Sequence, residues 1–342
     1  RFGLFLPVND VDDIRSYLLG RLEDLTDDFV VNDTEVNQEF TLGIARYPDD
    51  GQTLDTLVTS ANRALVRAKN DISQTVALFK ESDRETLIAK INAKERISRA
   101  LDQERINVSY QPIKDTVDGS NLMHEALLRF ETEEGEELST DVLKEVVHEP
   151  EITRRLDQWV IRKAISDFSD RIGTESFPLL AVNMFPNTII DHEMFSTIHD
   201  IIDEKEFPPE KLVIEIPETL LQSHREKATK NVRQAAEQYN YKFAIDDFGV
   251  GHGSFKSLST LPLNYLKIDG SFVKDLSNNP VEQKFVEMTA GLSQQMDLDV
   301  IAEWVETQET ADLLEELGIQ LQQGYYYSDP VTIRELEESN ES

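Results

Sequence analysis

The chain has no cysteine among its 342 residues. Disulfides, thiolate metal sites and cysteine nucleophiles are thereby excluded. Basic residues are also scarce: 34 Lys and Arg face 66 Asp and Glu, a formal net charge of −32. Duplex nucleic acid and anionic lipid need clustered cations to bind, so neither is an expected partner. No apolar run approaches the ~18 residues of a membrane span, and no basic-plus-apolar leader opens the sequence. A cytoplasmic location is expected. None of the six His falls in a zinc-type spacing, and Gly-x-Ser-x-Gly and P-loop signatures are missing. The first residue is Arg1 rather than Met, which reads as a piece of something longer. What the chain does have is carboxylate, and length enough for two domains or for a barrel plus a small unit. An anionic substrate would need local cations to offset that field, which favours bound metal.

Residues 1–82 predict a small α/β unit. A strand "FGLFLP" precedes a helix from about Asp10 to Thr26, and Phe40 to Gly51 reads as a strand running into a turn. Leu54 to Asn70 carries Leu54, Leu57, Val58, Ala61, Ala64 and Leu65 at helical spacing, and Thr75 to Lys80 is another short strand. The unit is small enough to be half a domain. Residues 83–104 contain no Gly or Pro and predict a helical connector. From there to residue 342 the rhythm changes. Eight apolar runs recur at 106–113, 121–130, 177–185, 211–218, 242–249, 263–270, 298–306 and 319–327, most of them separated by amphipathic stretches. Strands alternating with helices predict a parallel (β/α)8 TIM-like barrel. One connection breaks the pattern. Only "KDTVDGS" separates the first two runs, too short for a parallel crossover. Asp118-Gly119 is a hairpin signal, so the barrel is expected to be a modified one with an antiparallel first strand.

The stretch Ala244 to Phe255, "AIDDFGVGHGSF", sets two carboxylates at the end of an apolar run. A lone Asp-Asp is most often a solvated turn. Polar residues near the other strand ends change that reading: Gln111, Glu125, Asn183, Glu215, Lys267, Asp269, Glu303 and Gln323. Singly, each has a plainer explanation. Glu125 would be a buried acid paired to Arg129, and Lys267 a lysine snorkelling to the surface. Together they place several carboxylates in the mouth of one barrel, which is unfavourable without cations. Oxygen ligands without His or Cys suit Mg2+ or Mn2+. Two such ions ~3.5–4 Å apart can clamp a phosphoester displacement. Adjacent Asp residues fit that need, one bridging both ions and the other holding the second.

These blocks resemble the EAL family of cyclic di-GMP phosphodiesterases. "YQPI", "EALLRF", "VNMF", "IEIPE", "DDFGVGHGSF", "LKIDGSFV", "AEWVET" and "QGYYYSDP" occur in family order over residues 106–330. The name-giving triplet is Glu125-Ala126-Leu127. The resemblance implies metal-dependent hydrolysis of cyclic di-GMP to linear pGpG in bacterial signalling, with two Mg2+ or Mn2+ per site and Ca2+ inhibitory. It implies that Glu125, Asn183, Glu215, Asp246, Asp247 and Glu303 hold the metals. Lys267 would position or activate the water beside Gln323, with Glu303 and Asp247 also in the catalytic set. Gln111, Leu127, Arg129 and Asp269 would meet the dinucleotide or orient its neighbours. Glu218 would brace the loop after Asp247 and couple it to a homodimer interface.

Departures are few. Pro217 stands where Thr is commoner, and His252-Gly253 where Tyr-Ser is commoner. Trp304 replaces a frequent Gly, although other members carry an aromatic there, and Asp329 stands where a basic residue is frequent. None removes a metal ligand. Residues 1–82 resemble the second half of a GGDEF (diguanylate cyclase) domain without its signature loop, so this unit is not expected to make cyclic di-GMP. Two other readings compete: a cyclic di-GMP receptor signalling through its connector, and a different two-metal barrel phosphodiesterase. Retention of every metal ligand favours the enzyme over the first, and the sequence blocks favour it over the second.

Overall fold

The protein's computed structural model describes residues 4, 6, 17, 18, 20, 29–31, 34–36, 41–70, 75–103, 105–131, 137, 138, 140–169, 178–251 and 258–340. It divides into two compact units, Arg1–Asn92 and Ala93–Ser342. The division falls inside a helix, Glu81–Asp102, that covers most of the expected connector.

In the first unit, β1 (Phe29–Val31) and β2 (Thr34–Val36) pair antiparallel. β3 (Leu42–Ile44) and β4 (Val76–Leu78) pair parallel, joined by α1 (Leu54–Asn70). The helix has the bounds its apolar spacing predicts. It lies so close to β3 that a Cβ on Gly43 would stand 2.0 Å from the Ala61 carbonyl oxygen. Ala64, Ala68, Ala77 and Phe79 form the small core. Arg67 grips Asp83 with two hydrogen bonds, at 2.9 and 3.0 Å. The expected first strand and the helix over 10–26 lie mainly outside the described residues.

The second unit begins in α2 (Glu81–Asp102), whose Ala93, Ile97 and Ala100 pack on Ile106, Phe130 and Leu156. Eight strands follow: β5 (Ile106–Asp115), β6 (Asn121–Glu131), β8 (Leu179–Asn183), β9 (Leu212–Pro217), β10 (Lys242–Phe248), β11 (Tyr265–Ile268), β12 (Asp299–Ala302) and β13 (Leu321–Gln322). They close into a ring in the order β5, β13, β12, β11, β10, β9, β8, β6, with β6 pairing back to β5. A two-residue strand the sequence did not announce, β7 (Glu137–Leu138), adds to β6. Strand β5 is antiparallel to both its neighbours, β6 and β13, and every other pair in the ring is parallel. The expected hairpin produces that reversal. Asp115 and Asp118 accept backbone bonds from Val117 and Ser120, and Gly119 takes a φ of 75°, where a Cβ would be strained.

Outside the ring lie α3 (Pro150–Ser169), α4 (Pro186–Ile189), α5 (Met194–Lys205), α6 (Leu220–Ser223), α7 (Arg225–Tyr239), α8 (Pro280–Gln295), α9 (Gln308–Glu316) and α10 (Ile333–Asn340). Their apolar faces and the outward residues of the strands form the main core. A second core fills the barrel itself: Ile113, Met123, Leu179, Ala181, Val213, Ala244, Tyr265, Ile301 and Leu321. The last run, expected as a strand over 319–327, pairs only at Leu321–Gln322. Beyond it, Gly324 presses on the Val305 backbone, where a Cβ would meet the carbonyl oxygen at 2.1 Å. That close approach turns the chain out of the sheet.

Candidate functional site

Successive side chains on a strand alternate faces, so the residue two places beyond an interior one also points inward. Counting two forward from Met123, Ala181, Val213, Ala244, Tyr265, Ile301 and Leu321 gives Glu125, Asn183, Glu215, Asp246, Lys267, Glu303 and Gln323. On β5, which runs the other way, the count goes backward from Ile113 to Gln111. Gln111 stands opposite Glu125 in the pairing register. One polar layer therefore caps the apolar filling at the barrel's C-terminal mouth, assembled from all eight strands.

Lys267 is its centre. The side chain is fully buried, which excludes the snorkelling reading. Its Nζ lies 2.8 Å from Glu303, 2.9 Å from Glu215, 3.1 Å from Glu125 and 3.2 Å from Asp246. Gln323 donates to Glu125 at 2.7 Å and to Gln111 at 3.2 Å, and Asn183 donates to the other oxygen of Glu125 at 2.6 Å. Glu125 thus belongs to the mouth and not to a simple pair with Arg129. Burial works against the lysine's charge, but the four surrounding acids outweigh it and hold its pKa well above the ordinary value. Lys267, Gln323 and Asn183 overcome burial to keep the Glu125 carboxyl low. Glu215 is driven the other way, by burial first and then by the charge of Glu125. Burial also pushes Glu303 up to about 8, against the pull of Lys267 and with help from Asp246 and Glu125.

Asp247 should face away from Asp246 in a regular strand. It does not, because the pairing of β10 with β11 is irregular between Ile245 and Phe248 and Asp247 takes a φ of 54°. Oxygens of Asp246, Asp247 and Glu303 consequently lie within 4.8 Å of one another. Desolvation in this cleft, with Asp246 and Asp269 nearby, pushes Asp247 up to about 6. Glu218 is buried behind the turn and accepts the backbone N–H groups of Gly249 at 3.0 Å and Gly251 at 3.1 Å. It braces the start of that loop; His252 and Gly253 fall outside the described residues. Asp269 accepts from the Ser271 N–H at 2.9 Å. Leu127 and Arg129 share the inward face of β6 with Glu125, and by the usual strand rise Arg129 stands about 13 Å further along.

A family model described as the EAL domain matches residues 94–330. The chain belongs to the EAL family. The EAL match leaves residues 1–93 outside it. The cyclic di-GMP phosphodiesterase PdeF of Escherichia coli is 27% identical over 300 residues, 84% of this chain and 39% of its own length. An EAL domain protein of Listeria monocytogenes is 26% identical, with a TM-score of 0.64 over 72% of this chain and 97% of that one. The PaMucR phosphodiesterase, solved as a c-di-GMP complex, shares the fold at 22% identity and a TM-score of 0.68, over 72% of this chain and 99% of its own. This chain spans about half or less of the length of the curated relatives it matches.

The donor set of this EAL domain suits hard divalent cations. With all five carboxylates ionised beside one ammonium, the mouth would carry four negative charges, which divalent cations would offset. Glu215 Oε1 is buried and accepts no hydrogen bond, so it has a lone pair to offer. One polar residue that the sequence did not announce also supports the mouth. Asp157 of α3 is buried and accepts the Phe185 N–H at 3.0 Å, two residues beyond Asn183. Burial pushes its carboxyl up to about 7. The signal was present, since residues 153, 157, 160 and 164 share the helix face whose apolar members are buried.

Proposed function

We propose that this EAL domain hydrolyses cyclic di-GMP to linear pGpG with the help of two divalent cations, Mg2+ or Mn2+. The carrying observation is the mouth: four carboxylates surround the buried Lys267, and Asp247 lies beside two of them, Asp246 and Glu303. Glu125, Asn183, Glu215, Asp246, Asp247 and Glu303 would hold the cations. When bound, these supply Lewis-acid charge that offsets the charge developing on the phosphoryl oxygens. The chain's own residues fix the geometry. Lys267, ringed by the acids that would hold the cations, would position or activate the attacking water. Gln323 holds Glu125 at the edge of the site, while Gln111, Leu127, Arg129 and Asp269 would meet the dinucleotide or orient its neighbours. Water adds to phosphorus, the P–O3′ bond breaks and the 3′ oxygen takes up a proton, which leaves pGpG.

The assay is turnover of cyclic di-GMP by this chain with Mg2+, Mn2+, Ca2+ or excess chelator. Product is expected with the first two and not with the last two, because Ca2+ is larger and coordinates more loosely. Equal turnover in chelator would refute the metal requirement. Tight binding without turnover under any divalent cation would make the domain a receptor. We further infer a homodimer across the barrel face near the Asp247 loop, coupled to the site by Glu218. The N-terminal unit, on its sequence resemblance, reads as a partial GGDEF domain that does not act on GTP. A cytoplasmic setting agrees with the described residues, which include no helix long and apolar enough to cross a membrane.

A further inference from the structure

Asp157 sits on the buried, mainly apolar face of α3 and makes no ion pair with any described residue. Burying a carboxyl without a cation is unfavourable, so packing alone does not account for it. Its bond to the backbone does. Asp157 Oδ2 accepts the Phe185 N–H at 3.0 Å, and a buried backbone N–H left without an acceptor would itself cost stability. Asn183 ends β8, and Met184 and Phe185 turn the chain into α4. That turn is held from two sides. Met184 N–H donates to the Glu215 carbonyl of β9 at 3.3 Å, and Phe185 N–H donates to Asp157 of α3. Pro186 favours extended backbone at the residue before it, and Phe185 has φ −67° and ψ 146°. From this fixed turn the Asn183 side-chain amide reaches back to Glu125 at 2.6 Å.

We propose that Asp157 is a positioning residue for the cation site: by holding the Phe185 N–H, it keeps the Asn183 amide in place as a ligand. This rests on the metal-dependent reading and adds to it a residue that touches neither cation nor dinucleotide. Partners that orient ligands from behind typically contribute about 10- to 100-fold in metal affinity. Most of them grip the ligand side chain itself. Asp157 acts instead on the backbone two residues further along, so its removal frees the turn and the effect belongs at the lower end of that range.

The test uses the whole chain and the variants D157A, D157N and T153V. Mn2+ binding is followed without substrate, from the paramagnetic resonance signal of the free ion. D157A should raise the Mn2+ dissociation constant about 10-fold or more. D157N, whose amide oxygen can accept the same N–H, should recover most of that loss. Thr153 controls for damage to the helix: it is fully buried one turn earlier on the same face, and its hydroxyl bonds to the Glu149 and Pro150 carbonyls at the start of α3. T153V should leave the constant unchanged even where it lowers Tm. Where D157A does not fold by circular dichroism, D157S is read in its place, since its hydroxyl is one bond too short for the N–H. In turnover, D157A should lose activity at limiting Mg2+ and regain most of it as Mg2+ is raised, with KM for cyclic di-GMP little changed. Equal Mn2+ affinity in wild type and D157A overturns the positioning role while leaving the phosphodiesterase intact. So does a loss in D157N or T153V as large as that in D157A. A wild type that neither binds Mn2+ nor cleaves cyclic di-GMP refutes the metal-dependent reading, and the positioning role falls with it.

Discussion

Replacing Lys267 by Met removes one positive charge and little volume from the barrel mouth. Four carboxylate oxygens lie 2.8–3.2 Å from Nζ. At an effective dielectric constant of about 20, each contact contributes about 5 kcal/mol of attraction. Desolvation and the repulsion among the acids offset most of that sum. Removing one partner from a buried ion pair nevertheless costs about 3–5 kcal/mol, because the charges left behind have no compensation. For a unit of this size that corresponds to a fall in Tm of about 6–20 °C. The loss should be full in chelator and should shrink with millimolar Mg2+, since a divalent cation supplies the missing charge. Thermal unfolding followed by circular dichroism, with the wild type and K267M each measured in chelator and in Mg2+, makes the comparison. The reasoning fails if K267M matches the wild type in chelator, or if Mg2+ raises the Tm of both proteins equally.

Asp247→Asn keeps the size of the side chain and removes its charge; turnover should fall at least ~100-fold while calorimetric affinity in Ca2+ changes far less. Wild-type turnover in that variant would exclude Asp247 from the metal set. Asp157 supplies a pH test. Its carboxyl is pushed from 3.8 up to about 7 by burial, so its contribution to stability is complete below pH ~4 and is lost as pH rises through ~7. The gap corresponds to about 4 kcal/mol at most. D157N should therefore gain on the wild type by up to that amount between pH 4 and 8 in urea titrations, and a constant difference would contradict the assignment. Dimer fraction by sedimentation should climb with added salt as the charge of −32 is screened, with specific activity rising alongside; an active monomer at every salt concentration would end the coupling.

Much of the barrel was legible because its signals are local. Apolar runs place the strands, and Asp118-Gly119 announces the one reversal. The polar layer was legible as a set of residue types at strand ends. Its organisation was not. Lys267 looks like any lysine following Tyr265 and Leu266 until four strands bring their acids to it. The bulge that turns Asp247 toward Asp246 depends on how β11 pairs with β10, which no window of sequence contains. The last strand was read as too long because its end is set by Val305, on a different strand end, pressing on Gly324. Asp157 was passed over because one acid in an amphipathic helix is unremarkable until the opposing backbone N–H is known.

The ring closes between residues far apart in the chain: Lys114 of β5 pairs with Gln322 of β13. At roughly 5–20 residues per second, the ribosome needs about 10–40 s to make the segment between them. Through that interval a nascent chain holds the β5–β6 hairpin and a growing parallel sheet, but the sheet's last edge waits for a partner. Such late, long-range pairing folds slowly and leaves strand edges open to other chains. Chaperone dependence should accordingly be greatest for polypeptides that end just short of Leu321, and the acid-lined mouth exists only once synthesis has passed Gln323.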